Sequence, residues 1–385
     1  MIDKIIAIGT TTDRKRKIIT GQSMMFDATV EILIEKGYTV QIVNLTSKYT
    51  DFKVGKINTK RIFEYFSIII GSIPKFYKNR GGILYIATAQ VKSGFLRDFV
   101  FVHLAAFFRY RILIQQFGSN FEVFYNGSSP FFKFLIRITF NKGKKIIVEG
   151  EFSKKQFSMF KNYEYKVVSI PNGLPERELK TSLTGKTYKK DESFTLLYLN
   201  NMIESKGYWD VLEAMDILIN KLHRNVSCIF VGVFMISVDD ERFSKIEDAK
   251  LSFKDFIKNK SLNNCISYYN GLIGADKADV FLKSNVFLLP SYYKFEGQPI
   301  AVLEALAYGS VPIVTNYRMI PTMVTDECGL FVEKKSPNII AEKISFLMDN
   351  PDKYKEYSQA GVNRYNDFFT LDKYCNSILN LISSI

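Results

Sequence analysis

The feature that most constrains this chain is a rhythm of strand, helix and glycine. Lys4-Ile5-Ile6-Ala7-Ile8-Gly9 is a short β-branched run followed by a polar, basic loop. From Gly21 onward Met25, Ala28, Ile32 and Leu33 recur at helical spacing, Gly37 closes that helix, and Tyr38-Thr39-Val40-Gln41-Ile42-Val43 reads as the next strand. This is the pattern of a parallel βαβ unit, in which the crossover helix covers one face of the sheet. Further strands are expected at Ile83–Ala87, Arg111–Gln115, Lys145–Val148 and Lys166–Ile170, so residues 1–175 read as one Rossmann-like domain. Residues 176–193, rich in Thr, Ser, Gly and Lys, read as an exposed linker. The rhythm restarts with strands at Phe194–Leu199, Val226–Val231, Cys265–Tyr269, Val286–Leu289 and Val311–Thr315 and a helix over 208–222. That places a second Rossmann-like domain at 194–364 and a terminal helix at 365–385. The class is α/β, with ligands expected at the carboxyl ends of the strands.

Composition narrows the options. The 385 residues suit two domains, and 47% hydrophobic against 24% charged residues exclude a disordered chain. Four scattered cysteines and two histidines argue against a disulfide framework or a structural zinc site. Apolar runs such as Val226 to Ser237 fall short of the roughly 18 residues a membrane span needs. Asp13-Arg14-Lys15-Arg16-Lys17 stands where a signal peptide would be apolar, so a cytoplasmic location is expected. The net charge of +13 is unevenly distributed. Residues 1–180 hold 29 Lys and Arg against 14 Asp and Glu, whereas 181–385 hold 23 against 25. An anionic partner is therefore expected at the N-terminal half, and nucleic acid, an anionic membrane surface or a phosphorylated substrate would each satisfy it.

The most informative stretch runs from Pro290 through Glu296-Gly297-Gln298-Pro299-Ile300-Ala301 and Glu304 to Gly309. A strand ends at Pro290, a glycine-containing loop follows, and a helix starts near Pro299, a residue favoured in the first turn. Backbone N–H groups at such a start suit a diphosphate. Glu304, about one turn inside, can accept from ribose hydroxyls, and Glu296 can reach a sugar attached to the diphosphate. Two glutamates eight apart, taken alone, more often mark a helix with a solvated acidic loop.

With its surroundings the stretch resembles the E-x(7)-E signature of retaining glycosyltransferases of family 4, which have the GT-B fold. Gly309-Ser310-Val311-Pro312-Ile313-Val314-Thr315 is similar to that family's G-x-P-V-V segment, and Leu199 to Gly207 resembles its strand-end loop with a Lys-Gly pair. Ile170-Pro171-Asn172-Gly173 resembles the end of its N-terminal domain, and Gly21-Gln22-Ser23 its glycine loop. The resemblance implies two Rossmann-like domains facing each other across a cleft, acceptor bound by the first and donor by the second. It implies a terminal helix crossing back to the first domain. It assigns the donor ribose to Glu304, hydroxyls of the transferred sugar to Glu296, and the donor diphosphate to Lys206. Gly297, Gln298, Ile300 and Ala301 join the donor site, with Gly21 near the phosphates (a tight turn would explain that glycine equally well) and Asn270-Gly271 near the base. Two departures stand out. Asn201 occupies the place where the family usually has an arginine, and Gln115 and Phe117 stand where an H-x-H-G segment, ending here at Gly118, would have histidines. Glutamine cannot take a proton.

No acids have metal-ligand spacing, since Asp276 and Asp279 fall on an expected helix, and metal-independent binding is expected with no cofactor. His103 and His223 suit structural roles. Phe95-Leu96-Arg97, Phe107 to Arg111 and Phe131 to Arg137 interleave rings with cations, a pattern that suits an anionic bilayer, clamped single strands, or core faces backed by basic solvent faces. No RNA-binding motif accompanies them, so nucleic acid is not expected as a partner. The sequence therefore reads as a hexosyltransferase using a UDP- or GDP-linked sugar. Its acceptor would be a glycan or lipid-linked oligosaccharide of bacterial surface polysaccharide, met at the inner face of the plasma membrane. A nucleotide-sugar-binding adaptor without turnover is the alternative.

Overall fold

A computed structural model of the chain describes residues 4–13, 20–47, 59–174, 184–190 and 192–385. Of the basic run at 13–17 only Asp13 falls within them, and much of the expected linker, 176–183 and 191, lies outside. The chain divides into two compact units, residues 1–173 with 372–385, and residues 174–371.

In the first unit the strands are β1 (Lys4–Gly9), β2 (Thr39–Asn44), β3 (Ile83–Ala87), β4 (Arg111–Gln116), β5 (Lys145–Val148) and β6 (Val167–Ser169). They form one parallel sheet in the order β2-β1-β3-β4-β5-β6. The helices are α1 (Gly21–Glu35), α2 (Thr59–Lys78), α3 (Lys92–Phe107), α4 (Phe121–Asn126), α5 (Pro130–Lys142), and two single turns, α6 (Glu151–Lys154) and α7 (Tyr163–Lys166). Helix α1 starts in a capping box, with Thr20 Oγ1 accepting from the Ser23 amide and Ser23 Oγ accepting from the Thr20 amide. Gly37 ends it with φ of 86°, the left-handed conformation that glycine adopts without penalty. On one face of the sheet the core is dominated by rings, with Phe121 stacked 4.3 Å from Phe157 and packed against Phe140.

The second unit comprises β7 (Phe194–Leu199), α8 (Tyr208–Asp216), β8 (Val226–Val231), α9 (Ile246–Asn259), β9 (Ile266–Tyr269), α10 (Gly274–Lys283), β10 (Val286–Leu289), α11 (Ile300–Ala307), β11 (Val311–Thr315), α12 (Ile320–Met323), β12 (Leu330–Val332), α13 (Pro337–Asp349) and α14 (Pro351–Phe368). Its sheet is also parallel, in the order β12-β11-β10-β7-β8-β9. Strands run outward from β7 on one side and from β10 on the other, so their following loops diverge and leave a crevice at the carboxyl ends.

Several elements differ from the sequence expectations. The helix expected over 208–222 is α8 continued by a π-turn at Ile217–Lys221. The helix expected over 365–385 is the end of α14 and a separate helix, α15 (Leu371–Ser383). Of residues 184–190, expected to be an exposed linker, Thr184, Thr187, Lys189 and Lys190 are exposed, whereas Lys186 and Tyr188 pack on the second unit. The buried Lys186 ammonium donates to the Phe281 and Ser284 carbonyls, each at 2.6 Å, and to Ser310 Oγ at 3.1 Å. Tyr188 is buried edge-on against Phe194. Among the described residues no helix is long and apolar enough to cross a membrane.

Residues 372–385 complete the first unit. Tyr374 Oη lies 2.6 Å from Thr29 Oγ1, beside Tyr85, whose ring stacks on Phe26. Burial pushes the Tyr85 hydroxyl up to about 12, so this cluster stays neutral. Ile378→Ala should destabilise the first unit by about 2–4 kcal/mol, because Ile378 is buried in the α15 contact. Hydrogen exchange should accelerate in β1, β3 and α1 while the second unit keeps its protection.

Candidate donor site at the switch point of the second sheet

The loops after β7 and β10 are clasped together. The Tyr292 amide donates to the Ser205 carbonyl at 2.8 Å. Gly207 packs so closely on Pro290 that a Cβ there would stand 2.6 Å from the Pro290 oxygen, and its φ of 85° lies in the left-handed region. Only glycine meets both conditions. The clasp delivers Lys206 to Glu296, Nζ to Oε1 at 3.2 Å, with both side chains largely buried. Lys206 Nζ also donates to Asn200 Oδ1 at 2.9 Å and lies 5.1 Å from the centre of the Tyr293 ring. Glu296 is held from its other side by Ser291 Oγ, 2.5 Å from Oε2. Ser291 is itself fixed, since its carbonyl accepts from Thr315 Oγ1 at 2.5 Å.

Pro299 caps α11, with Gln298 buried before it and Ile300 and Ala301 in its first turn. Gly297 is half-buried in the preceding loop. Glu304 follows one turn later, buried, with Lys277 Nζ of α10 2.5 Å from its Oε1. The sequence offered no sign of this partner, because nothing in the local pattern around Lys277 marks it. Asn201 is exposed, and its carbonyl accepts from Tyr198 Oη. Asn270 and Gly271 follow β9, two strands from β7, and are tied to the end of β8 through Tyr268 Oη, which donates to the Gly232 carbonyl and to Asn270 Oδ1. The structure thus brings Lys206 and Glu296 together, places Glu304 along the same loop–helix run, and leaves Asn270 and Gly271 farther along the sheet edge.

In the first unit Gly21 opens α1 beside the capping box. The three residues expected on the acceptor side are largely turned inward. Gln115 is 0% exposed, with neither amide atom hydrogen-bonded among the described residues. Phe117 is buried, and its carbonyl accepts from Gln90 Nε2 at 2.6 Å. Gly118 has φ of 76° and donates its amide to Glu149 Oε2 at 2.8 Å. The reason is steric, since β4 is an inner strand and its last side chains fall inside the sheet layers. Glu149 also accepts from Asn172 Nδ2 at 3.0 Å, a buried anchor for the Ile170–Gly173 segment that the sequence did not reveal. Asp276 and Asp279 lie on α10, as the sequence suggested, and among the described residues no group of three or more His, Cys, Asp or Glu could hold a metal ion. His103 Nδ1 lies 2.9 Å from the Phe99 carbonyl on α3, and His223 ends a helix with φ of 49°.

Behind the Lys206 loop lies a cavity of about 320 Å³ lined by Glu204, Trp209, Asp210, Arg242, Tyr292 and Lys335 among others. The Arg242 guanidinium lies 4.7 Å from the Trp209 ring centre, and the indole N–H donates to Glu213 at 2.7 Å. Burial, reinforced by Glu213, pushes the Asp210 carboxyl from an ordinary 3.8 up to about 7.

Residues 180–364 match the family model described as glycosyl transferases group 1. The capsular polysaccharide biosynthesis glycosyltransferase CapM of Staphylococcus aureus is 24% identical over 186 residues, 47% of this chain and 43% of that protein. The uncharacterized glycosyltransferase MJ1178 of Methanocaldococcus jannaschii is 23% identical over 346 residues, 84% of this chain and 88% of the relative. A glycosyltransferase structure from Rickettsia africae ESF-5 superposes with a TM-score of 0.70 at 18% identity, covering 100% of this chain and 98% of the other. The Anabaena protein HepE in complex with UDP and glucose gives 0.69 at 11% identity, with 100% of both chains covered. The fold is GT-B type, α/β with two Rossmann-like halves, and the second half is similar to the group 1 glycosyltransferase domain.

The Asp210 shift has a defined sign. Between pH about 4 and 7 the folded chain holds a proton that the unfolded chain has lost, so stability falls as pH rises through that window. Asp210→Asn should flatten this dependence. Its Tm should match wild type below pH about 4 and exceed it above pH about 7, as read by calorimetry across that range.

Proposed function

We propose that the protein is a retaining, metal-independent hexosyltransferase that moves a sugar from a nucleoside diphosphate to a glycan. The observation that carries this reading is the buried Lys206–Glu296 pair at the switch point of the second sheet, with Glu304 one turn into the adjoining helix. A donor diphosphate in the crevice would draw the Lys206 ammonium from the carboxylate. Positive charge fixed there stabilises the charge that builds on the leaving group as the glycosidic bond breaks. Glu296, released but still held by Ser291, then accepts from hydroxyls of the sugar. Glu304, oriented by Lys277, accepts from the ribose. The second unit would hold the donor and the first the acceptor.

The UDP bound to HepE supports a uridine donor, with guanosine the other candidate. The capsular relative supports a bacterial surface glycan as acceptor, and a lipid-linked oligosaccharide would bring the enzyme to the cytosolic face of a membrane. Retention rests on the resemblance of the Glu296–Glu304 segment to the family-4 signature. Asn201, in place of a second cation, and the inward-facing Gln115 and Phe117 favour the adaptor as the second reading.

Nucleoside diphosphate release from UDP-, GDP- and ADP-sugars, in the presence of bacterial lipid extract, separates the two. One donor should turn over, and Glu296→Ala and Lys206→Ala should each lower the rate by about 100-fold or more. Tight donor binding with no release from any extract would establish the adaptor instead.

A further inference from the structure

Helix α2 is apolar on a side that nothing among the described residues covers. Ile62, Phe63, Phe66, Ile70, Ile73 and Tyr77 are all exposed, Phe63 at 75%. At 100° per residue they fall within an arc of about 100°. The opposite side carries the packing contacts, with Phe76 and Ser72 buried and Ile68 and Ile69 against the core. An amphipathic helix normally turns its apolar stripe inward. This one has a second stripe, facing out.

The neighbours extend it. Helices α2, α3 and α5 pack side by side over the same aromatic core, and their outward positions include Leu96, Val100, Phe107, Phe131 and Phe134. Phe107 is 78% exposed and Phe131 70%. Exposed apolar side chains spread over three adjoining helices form a patch of the kind that marks an interaction surface. Its border is cationic. On helix α2 Lys60 and Lys78 lie beside the stripe, whereas Arg61 and Lys75 lie on the far side, Lys75 Nζ donating to the Ile42 carbonyl at 3.2 Å; the one acid, Glu64, accepts from Ser47 Oγ at 3.0 Å. Arg80 stacks 5.0 Å over the Tyr77 ring, keeping a guanidinium at the edge of the stripe. Arg109, just past the end of α3, and Arg137, midway along α5 with its Nε donating to Tyr125 Oη at 2.6 Å, are also exposed.

We propose that the outer face of α2, α3 and α5 is a docking surface for an anionic lipid bilayer. Rings and branched aliphatics would enter the acyl boundary while lysines and arginines meet phosphate head groups. A second copy of the chain fits poorly, because two such faces would bring like charge against like charge, in a half-molecule with a net charge of +15 by residue count. The inference deepens the reading of a lipid-borne acceptor. It rests on that reading for its purpose and not for its geometry.

The test is co-sedimentation of the full chain with vesicles of phosphatidylcholine alone and of phosphatidylcholine with phosphatidylglycerol, with no sugar nucleotide present. Wild type should partition onto the anionic vesicles, less so as salt rises. The triple variant Phe63→Ser, Phe66→Ser, Ile70→Ser should lose at least about 10-fold in partitioning while keeping its Tm, since these side chains are exposed. Lys60→Glu with Lys78→Glu should lose binding to anionic vesicles specifically. No partitioning by wild type, or equal partitioning by the triple variant, overturns the proposal. So does a wild-type dimer that the triple variant abolishes, which would assign the face to a second copy. Vesicle binding without donor turnover would leave the docking face standing and remove the transferase.

Discussion

The candidate site depends on one close approach, that of Gly207 to Pro290. Parallel order puts β7 beside β10, but adjacency of strands alone does not bring their loops into register. The amide of Tyr292 on the Ser205 carbonyl, with no side chain between Gly207 and Pro290, fixes the two loops against each other. Given that clasp, the Lys206 ammonium reaches the Glu296 carboxylate, and Glu296 can be gripped by Ser291 from behind. A buried ion pair contributes little net stability, because desolvation offsets much of the attraction. On the function proposed above, its worth lies in keeping two opposite charges desolvated at a defined place until a donor diphosphate and its sugar would displace one from the other.

Much of the architecture was legible because inner strands of a parallel sheet are buried on both faces and therefore read as largely apolar runs. Phe194–Leu199, Val226–Val231, Val286–Leu289 and Val311–Thr315 match their strands residue for residue. Strand β12 escaped notice because it has only three residues, at the sheet edge. Helix α2 escaped for the opposite reason. Apolar residues on both its inner and outer sides blur the single-sided period that marks a surface helix, and Pro74 interrupts it.

The site was legible to the extent that it is local in sequence. Lys206-Gly207 and the run from Glu296 to Glu304 carry their geometry in short motifs. Partners supplied from elsewhere, such as Lys277 for Glu304 and Glu149 for Gly118 and Asn172, are tertiary and left no local mark. The packing of Lys186 within the expected linker left no mark, because composition cannot tell a solvated lysine from one whose ammonium is bound by two carbonyls and a hydroxyl.

The chain contains a single tryptophan, three residues after Lys206. Its indole is fixed by Glu213, overlaid by Arg242, and shares a cavity wall with Tyr292, the residue whose amide closes the clasp. Emission from one indole so placed reports on the polarity and the nearby charge of this one loop, undiluted by other fluorophores of its kind. The protein therefore carries its own optical probe beside the candidate donor crevice, and occupancy there can be followed in unlabelled material.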